Sequence, residues 1–237
     1  CSYDQKKVLN DLSFTIHRGD RMLILGENGS GKTTFIKLLS GIYDCDEGEI
    51  LINGEPVKDI AKLRNSISVI FQDYAKYRTY IKENITVGDV NRTYTDDDIR
   101  DAARQTDIDS YIETLDDKYD TKLGCFSDSY LDLSGGQWQK LALSRLLFKN
   151  DAKMMILDEP TASLDPLAEA DIYANFFHLT KDKTALFISH RLGITKVVDR
   201  ILVFRDGTVA EQGTHDELIA ANGVYADMYK SQAQWYK

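Results

Sequence analysis

Two stretches of this chain place glycines and a hydroxyl side chain directly ahead of a segment that is typical of a helix. The first is GENGSGKT, residues 26–33, between the apolar run RMLIL and KTTFIKLLS. The second is LSGGQ, residues 133–137, which opens LSGGQWQKLALSRLLF, an expected amphipathic helix. Glycine lets the backbone approach a ligand closely, and the N-terminus of a helix attracts anions. Both stretches therefore predict phosphate binding.

The first stretch fits the pattern G-x-x-x-x-G-K-[ST], in the strand-to-helix context that this pattern requires. In such a P-loop the backbone N–H groups surround a phosphate, the lysine reaches the β- and γ-phosphates, and the next hydroxyl binds Mg²⁺. We therefore expect Lys32 to bind the phosphates of ATP and Thr33 to bind Mg²⁺. The predicted nucleotide-binding residues of the P-loop are Gly26, Glu27, Asn28, Gly29, Ser30, Gly31, Lys32, Thr33 and Thr34.

Polar residues also follow three other apolar runs that are typical of buried parallel strands. Asp158 and Glu159 follow MMIL, His190 follows ALFIS, and Gln72 follows SISVIF. Because ligands bind outside the carboxyl ends of parallel strands, we expect these side chains to converge with Gly26 on one crevice. Taken singly, His190 or Gln72 also fits a capping or structural role.

This convergence predicts phosphoryl transfer from ATP to water. Two acids at the end of a buried strand need a cation or a chemical role, because burying unpaired carboxylates is costly. We expect Asp158 to bind Mg²⁺, directly or through water, and Glu159 to polarise the attacking water as a general base. His190 is expected to contact the γ-phosphate. The alternative for the two acids is an ordinary acidic start of a loop.

The order of strand-like and helix-like segments predicts an α/β fold of the P-loop NTPase (RecA-like) type. Short apolar runs predict a mostly parallel sheet, and VLNDLSFTI, residues 8–16, alternates like a half-buried strand. Asn53-Gly54 and Asp206-Gly207 predict hairpin turns, which would add an antiparallel β subdomain. Thr95 and Asp98 are spaced like the capping pair of a helix.

The length of 237 residues suits one large domain with a sizeable core. Helical patterns dominate its middle. We expect a single nucleotide-binding domain over residues 1–237, with a core lobe at 1–72 and 150–237 and an inserted helical subdomain at 73–149.

Composition argues against several classes of function. The formal net charge is −9, whereas nucleic-acid binding needs a basic surface. Cys1, Cys45 and Cys125 form no CxxC pair, which argues against a zinc site or a disulfide framework. No apolar run approaches the roughly 18 to 20 residues needed to span a bilayer. We therefore expect the chain as given to be soluble and to bind no nucleic acid.

Six motifs together resemble the nucleotide-binding domain of ATP-binding cassette (ABC) transporters. They are GENGSGKTT, FQD, LSGGQ, MMILDEP, ASLD and ISHR, in this order along nearly the whole chain. In that family the LSGGQ motif of one subunit closes over the ATP held by the P-loop of another, in a head-to-tail dimer. The resemblance therefore implies that Ser134, Gly135, Gly136 and Gln137 bind the nucleotide of a partner subunit.

The resemblance implies further roles, one residue at a time. Tyr3 resembles the aromatic residue that stacks on adenine, although an aromatic residue at a strand edge is the alternative. Gln72 resembles the residue that binds Mg²⁺, senses the γ-phosphate and links to the membrane domain. Asp165 resembles the residue that communicates across the dimer. Since Glu159 and His190 are both present, we expect a site that is competent for hydrolysis.

Two segments are similar to those of the exporter branch of the family, QDYAKYRTYIKENI and EQGTHDELIAANGVYADMYKSQ. By that resemblance Tyr74, Tyr77 and Tyr80 would line the groove for a coupling helix of the membrane domain, with a plain aromatic patch as the alternative. LSGGQWQK is similar to bacterial exporters of ribosomally made peptides, including lantibiotics. One departure is Cys125 in LGCFSDSYLDLSGG, where many exporters carry a glutamate in a VGE-x-G segment; this puts coupling through that loop in doubt.

The whole pattern predicts an ATPase domain that powers efflux of a substrate, such as a peptide, through an ABC exporter. The expected partners are a second, identical nucleotide-binding domain and a membrane domain on the same polypeptide. We expect the domain to lie at the cytoplasmic face of the cell membrane. The alternatives are a soluble ABC ATPase with no role in transport and a non-catalytic module that dimerises with ATP.

Overall fold

The structure is a computed structural model of the chain. It describes residues 2–3, 6–124, 131–159, 173, 176–177, 179–180, 183–189 and 193–233. Within these residues the strands are β1 (Ser2–Tyr3), β2 (Lys6–Lys7), β3 (Arg21–Gly26), β4 (Leu51–Ile52), β5 (Glu55–Pro56), β6 (Ile67–Ile70), β7 (Met154–Asp158), β8 (Thr184–Ile188), β9 (Arg200–Arg205) and β10 (Thr208–Gly213). The helices are α1 (Lys32–Leu39), α2 (Ile60–Ser66), α3 (Ile81–Thr86), α4 (Asp96–Arg104), α5 (Asp109–Ile112), α6 (Gly135–Phe148), α7 (His215–Ala221) and α8 (Val224–Ala233), with a 3₁₀ turn at Lys118–Asp120.

A six-stranded sheet forms the centre of the fold, in the order β10-β9-β3-β8-β7-β6. Strand β3 runs parallel to β8 and β9, and β7 runs parallel to β8, while β10 is antiparallel to β9. The apolar residues of β3, β7, β8 and β9 are buried, which explains why these runs are continuously hydrophobic. The predicted fold class, a mostly parallel sheet with antiparallel pieces, is confirmed.

Both predicted hairpin turns are present. Asn53 and Gly54 have φ angles of 54° and 80°, and they join β4 to β5. Asp206 and Gly207 have φ angles of 50° and 75°, and they join β9 to β10. Two-residue hairpin turns of this kind need positive φ at both positions, which Asn, Asp and Gly tolerate better than other residues.

The strand predicted at residues 8–16 is wrong. The structure describes all of these residues and assigns none of them to a strand. Asp11 has a φ of 42°, which takes the backbone out of the extended region in the middle of the alternating pattern. The Asn10 N–H instead donates to the Gly207 carbonyl at 2.9 Å, so this segment covers the β9–β10 turn.

The chain divides into two compact units. The core unit is Cys1–Val69, Lys153–Glu159 and Thr180–Lys237, and the helical unit is Ile70–Ala152 and Pro160–Leu179. Within the described residues of both units, no helix combines the length and the apolar character needed to cross a membrane.

Helices α3 to α6 build the helical unit. The predicted capping pair is confirmed at the start of α4, where the Asp98 N–H donates to Thr95 Oγ1 and the Thr95 N–H donates to Asp98 Oδ2. The buried apolar cluster of this unit consists of Ile81, Ile85, Ile99, Ala102, Ala103, Ile108, Ile112, Tyr119, Leu123, Leu133, Trp138, Leu141 and Phe148.

Helix α6 is more deeply buried than its sequence suggests. We expected an amphipathic helix, but its buried residues leave no broad polar face after the first turn, because the helix packs against both α3 and α4. Even Ser144 is buried, and its hydroxyl shares a hydrogen bond of 2.7 Å with Thr106 Oγ1. The buried residues of α6 are Trp138, Gln139, Leu141, Ala142, Leu143, Ser144, Leu146, Leu147 and Phe148.

One ion pair at the base of the sheet makes stability depend on pH. Arg21 donates from Nε and Nη2 to Asp199, at 3.0 Å and 2.7 Å, and this lowers the pKa of the Asp199 carboxyl. Such a contribution is complete above the usual carboxyl pKa of about 4 and is lost as the pH falls through the lowered pKa.

We therefore predict that Asp199→Asn lowers the free energy of unfolding at pH 7 by about 1 kcal/mol or less, because the pair is partly exposed. At pH 3 the difference from the unmodified chain should shrink. Urea titrations of both chains at the two pH values measure this. An equal difference at pH 7 and pH 3 would contradict the assignment.

Candidate functional site

The P-loop joins β3 to α1, and two of its glycines are required by close packing. A Cβ atom at Gly26 would lie 2.5 Å from the carbonyl oxygen of Phe204, and a Cβ at Gly31 would lie 2.7 Å from Leu9 Cδ2. Both glycines also have positive φ, at 155° and 104°. Any larger residue at either position would push the loop away from β9 or from the segment before β3.

The β9–β10 turn supports the P-loop from behind. The Gly207 N–H donates to the Ser30 carbonyl at 3.1 Å. A Cβ at Gly207 would lie 2.1 Å from the carbonyl oxygen of Val8, so this position also tolerates only glycine. The sequence predicted Gly207 as a turn residue and gave no sign of its contact with the P-loop, since the two are far apart along the chain.

The start of α1 has the features of an anion site. Its N-cap is Gly31, which has no side chain to bond the N–H groups of the first turn. The hydroxyl of Ser30 is buried and has no hydrogen-bond partner within the described part of the chain. An unpaired buried hydroxyl is costly. A phosphate group would accept from the Ser30 hydroxyl and from the helix N–H groups together, so the residues present fit a phosphate ligand.

The Lys32 side chain lies across this loop. Its ammonium donates to the carbonyls of Gly26 at 2.7 Å and Glu27 at 3.0 Å, and the residue is 7% exposed. Burial lowers the pKa of Lys32, while the carboxylates of Glu159 and Asp158 act in the opposite direction. The ammonium therefore lies within electrostatic reach of both acids.

The two acids end β7 in different environments. Asp158 is 3% exposed and Glu159 is partly buried. Glu159 has a φ of 45°, in the left-handed region that few residues other than glycine adopt, and its N–H donates to the Ile188 carbonyl at 3.0 Å. Strained backbone of this kind is often found at functional sites, where the surrounding structure holds it in place. The two successive acids thus differ in burial, because Asp158 is buried and Glu159 is partly exposed at the turn.

The donor set also fits Mg²⁺. Thr33 is exposed at the start of α1, and Asp158 ends β7 of the central sheet, so the chain supplies a hydroxyl oxygen and a carboxylate. Mg²⁺ is commonly bound by one or two protein oxygens together with phosphates of the substrate. The described residues contain no group of three or more His, Cys, Asp or Glu side chains arranged for a metal.

The LSGGQ loop leads into α6 through a capping box. The Gln137 N–H donates to Ser134 Oγ at 3.3 Å, and the Ser134 N–H donates to Gln137 Oε1 at 2.8 Å. Because the Ser134 hydroxyl acts as an acceptor here, its own proton stays available for a ligand. The Trp138 Nε1–H donates to Asp132 Oδ1 at 3.1 Å, which fixes the chain on the other side of the loop.

Gly135 and Gly136 differ from the glycines of the P-loop. Among the described residues, a Cβ atom added at either position would meet no atom within 4 Å, and neither residue has positive φ. The packing of the described residues therefore does not require glycine at these positions. Glycine there suits the close approach of another molecule.

A surface groove in the helical unit contains one of the three predicted tyrosines. It has a volume of about 550 Å³ and is lined by Tyr77, Arg78, Thr79, Glu83, Thr86, Val87, Val90 and Tyr94. Tyr80 is 38% exposed but does not line the groove, and Tyr74 packs against the buried cluster of the unit. Of the three tyrosines, Tyr77 is the one that lines this groove, and a role of Tyr74 and Tyr80 in docking a coupling helix stays a prediction.

Some predicted site residues cannot be compared with the crevice. Asp165, His190 and Cys125 lie outside the described residues. Tyr3 lies in β1, but its side chain is not described. Gln72 is exposed and follows β6, in the helical unit. The remaining P-loop residues are placed as expected along the loop: Glu27, Asn28 and Gly29 are exposed, and Thr34 is half-buried.

Comparison with known proteins identifies the family. Residues 9–162 match the ABC_tran family, described as "ABC transporter". The chain belongs to this family. It is 42% identical over 229 residues to the subtilin transport ATP-binding protein SpaT of Bacillus subtilis, covering 96% of this chain and 37% of that protein. It is 37% identical to the mitochondrial iron-sulfur clusters transporter atm1 of Aspergillus fumigatus, covering 97% of this chain and 31% of the relative.

A solved structure agrees with the sequence relatives. A bacterial Atm1-family ABC exporter with ATP bound superimposes with a TM-score of 0.87 and 35% identity, over 98% of this chain and 40% of that one. The predicted resemblance and fold class are thus confirmed, and ABC membership implies ATP binding. This ABC domain spans well under half the length of each relative.

Sequence reasoning missed a second group of residues, in the helical unit of the ABC domain. Arg145, Asn84 and Gly88 connect α6 to α3, through the Arg145 guanidinium and a close approach of backbones. No motif marks these contacts. The signal that could have found them is the small residue at Gly88 shortly after a helix, together with an arginine in the mostly apolar second half of α6.

The first prediction for the site concerns Lys32. Lys32→Ala should weaken ATP binding by about tenfold to a hundredfold, since a charge-assisted contact with phosphate is lost. Titration of a fluorescent ATP analogue measures this. Lys37→Ala is the matched control, because Lys37 lies in the last turn of the same helix with its Nζ 5.3 Å from the ring centroid of Tyr43. Equal affinities for the two variants would contradict the role of Lys32.

Proposed function

We propose that this chain is the ATP-binding and ATP-hydrolysing domain of an ABC exporter. The observation that carries the proposal is the start of α1, where the buried Ser30 hydroxyl has no hydrogen-bond partner within the described residues and the Lys32 ammonium donates to carbonyls of the P-loop. We assign Asp158 and Glu159, at the end of β7 in the same sheet, to the same site. Family membership supports ATP as the ligand. The names of the relatives, which describe transport and export, support efflux as the work that hydrolysis drives.

The reaction is transfer of the γ-phosphoryl group of ATP to water. A water oxygen bonds to the γ-phosphorus, the bond from that phosphorus to the β–γ bridging oxygen breaks, and ADP and phosphate are the products. Glu159 takes a proton from the attacking water. Lys32 and the N–H groups of α1 stabilise the charge of the phosphate oxygens, and Gln72 and His190 are assigned contacts with the γ-phosphate.

Magnesium is the proposed metal. Thr33, Gln72 and Asp158 would hold it together with the phosphates of ATP. When bound, Mg²⁺ neutralises part of the negative charge on the phosphate oxygens.

The LSGGQ loop is assigned to the nucleotide of a second, identical subunit. The open space around Gly135 and Gly136 supports this, because the packing of the described residues does not require glycine at either position. The capped N-terminus of α6 would then present Ser134 and backbone N–H groups to the partner's γ-phosphate. In the same dimer, Tyr3 would stack on adenine and Asp165 would communicate between the two sites.

The groove around Tyr77 is assigned to the membrane domain of the transporter. Its wall is partly apolar and open to solvent, with Val90 77% exposed and Val87 and Tyr94 38% and 47% exposed. Surfaces of this kind mark interaction sites in soluble domains. The occupant is a helix end of the membrane domain, because the related transporters contain 60% or more of their length beyond the part matched here. We propose that the ABC domain lies at the cytoplasmic face of the membrane, on the grounds of its family.

We assign a peptide as the exported substrate class. The subtilin transport protein is the relative of this chain with 42% identity, against 37% for the iron-sulfur cluster transporter. Transport of the peptide by the complete exporter into inverted vesicles, with and without ATP, tests this assignment. Uptake of an unrelated small drug in place of a lantibiotic-type peptide would contradict it.

The general-base role gives a direct prediction. Glu159→Gln should reduce ATP turnover by about a hundredfold or more, because the variant cannot take the proton of the attacking water. ATP affinity should stay within about twofold, since the P-loop is unchanged. Phosphate release and nucleotide titration measure the two quantities. Asp151→Asn, the same charge change in the exposed turn before β7, is the control. Unchanged turnover by Glu159→Gln would remove the proposed role.

Another prediction follows from the proposed binding of the LSGGQ loop to the nucleotide of a partner subunit. Gly135→Asp places a carboxylate where the partner's γ-phosphate would lie, so dimer-dependent hydrolysis should fall by about a hundredfold, as expected for loss of a preorganised site for charge. Binding of ATP to the single chain should be unchanged. The melting temperature should change little, because the added Cβ meets no atom of the described residues within 4 Å. A parallel loss of binding in the single chain would contradict the role in the partner's site.

A further inference from the structure

The Arg145 guanidinium makes an unusual set of contacts inside the helical unit. Its Nε donates to the Asn84 carbonyl at 2.9 Å, its Nη1 donates to the Ala75 carbonyl at 3.1 Å, and its Nη2 donates to Asn84 Oδ1 at 3.2 Å. The ring of Tyr77 lies 4.7 Å from the guanidinium carbon. Within the described residues these partners are carbonyl oxygens and an aromatic face, and no carboxylate pairs with Arg145.

Asn84 links this arginine to the segment 75–80. The residue is fully buried, and its Nδ2 donates to the carbonyls of Tyr77 at 2.9 Å and Tyr80 at 3.2 Å. Its Oδ1 accepts from Arg145. The donors and the acceptor of one amide are therefore shared between α6 and the backbone that carries the two tyrosines.

Gly88 brings α3 and α6 into direct backbone contact. A Cβ at this position would lie 2.1 Å from the carbonyl oxygen of Arg145. The turn that follows α3 therefore packs against the same turn of α6 that carries the guanidinium. The backbone contact and the arginine hydrogen bonds together fix the position of α6 relative to α3 and to the segment 75–80.

These contacts connect two surfaces with different proposed partners. Tyr77 lines the groove assigned to the membrane domain, and Val87 and Val90 lie on either side of Gly88 in the same groove. Helix α6 begins at the LSGGQ loop, which is assigned to the partner's nucleotide. Arg145 is eleven residues after Ser134, about 16 Å along a continuous helix.

We propose that Arg145 is a positioning residue that joins the groove to the LSGGQ loop, so that displacement of the segment 75–80 by the membrane domain moves α6 with it. The inference rests on the docking assigned above. A guanidinium suits the task because its planar fork bonds to several carbonyls in fixed directions, which the single ammonium of lysine cannot do. Asn84 orients the guanidinium, because its carbonyl and its Oδ1 both accept hydrogen bonds from Arg145.

Arg92 provides a matched control in the same unit. Its Nη1 donates to the Phe148 carbonyl at 2.7 Å, its guanidinium lies 4.9 Å from the Phe148 ring, and it pairs with Asp98. Arg92 thus contacts the C-terminal turn of α6, the turn that also carries Arg145, with similar chemistry. It makes no described contact with the segment 75–80, so Arg92→Gln carries a comparable structural cost without the proposed connection.

The experiment is a double-mutant cycle on ATP hydrolysis by the complete transporter in proteoliposomes. Val90→Asp disturbs the groove, and Arg145→Gln removes the connection. Each is expected to lower kcat about fivefold or more, the scale of a typical coupling between sites, with the KM for ATP within about twofold. The double variant should be no slower than the slower single variant, because both changes interrupt one connection. Val90→Asp combined with Arg92→Gln should show independent effects that multiply.

Several outcomes would overturn the proposal. Effects of Val90→Asp and Arg145→Gln that multiply would show that Arg145 does not carry the coupling, while leaving the docking intact. An unchanged kcat for Val90→Asp alone would remove both the docking and the coupling. If Arg145→Gln does not fold, Arg145→Lys keeps the charge without the fork and should show the same pattern, and restoration of normal kcat by lysine would reject the positioning role.

Discussion

The uncovered N–H groups at the start of α1 impose the constraint on which the rest of the core unit depends. A helix that begins at glycine, with no side-chain cap and an unpartnered Ser30 hydroxyl, is costly unless an anion completes it. The chain holds this arrangement by packing glycines against backbone, at Gly26 against Phe204 and at Gly207 against Val8. The surrounding parallel sheet therefore keeps the P-loop in a form that fits a phosphate ligand.

The same sheet brings the chemistry to that ligand. Asp158 and Glu159 act electrostatically on Lys32 from the end of β7, and the strained turn at Glu159 separates the buried first acid from the more exposed second one. A buried carboxylate suits a cation, whereas a carboxylate nearer to solvent suits proton transfer to water. The helical unit adds a second helix N-terminus, at α6, whose two glycines meet no neighbour among the described residues.

The sequence predicted those parts of the fold that local patterns determine. Asn53-Gly54 and Asp206-Gly207 specify their turns because few other residues adopt positive φ, and the Thr95–Asp98 pair specifies a helix start by hydrogen bonding over three residues. The strand prediction for residues 8–16 was wrong, because an alternating apolar and polar pattern indicates alternating burial and does not show that a neighbouring strand is present to pair with. The prediction that α6 is amphipathic was also wrong, because polar residues of the helix are buried as well. Ser144 is one of them, and its hydroxyl is satisfied by a hydrogen bond with Thr106.

Contacts between distant segments were beyond sequence reasoning. The motifs located the P-loop and LSGGQ residues but not Gly207 behind the P-loop, nor the arginine that ties α6 to the segment carrying Tyr77. These positions depend on which backbones come together in space. Tyr74 and Tyr77 illustrate the difference: they are three residues apart, yet one packs into the helical core and the other lines a groove.

Complementation between two defective chains tests most directly whether the P-loop and the LSGGQ loop meet across a dimer. One chain carries Lys32→Ala and the other Gly135→Asp, both with Glu159→Gln so that ATP is not consumed. Mixed dimers hold one site built from the intact P-loop of one chain and the intact LSGGQ loop of the other. The head-to-tail arrangement predicts that the mixture retains Mg-ATP through gel filtration, because a closed site traps the nucleotide. ATP bound to the intact P-loop of the Gly135→Asp chain alone is not covered by a partner and should dissociate on the column, and the Lys32→Ala chain alone should bind ATP weakly. Retention no greater than that of the separate chains would contradict the head-to-tail arrangement.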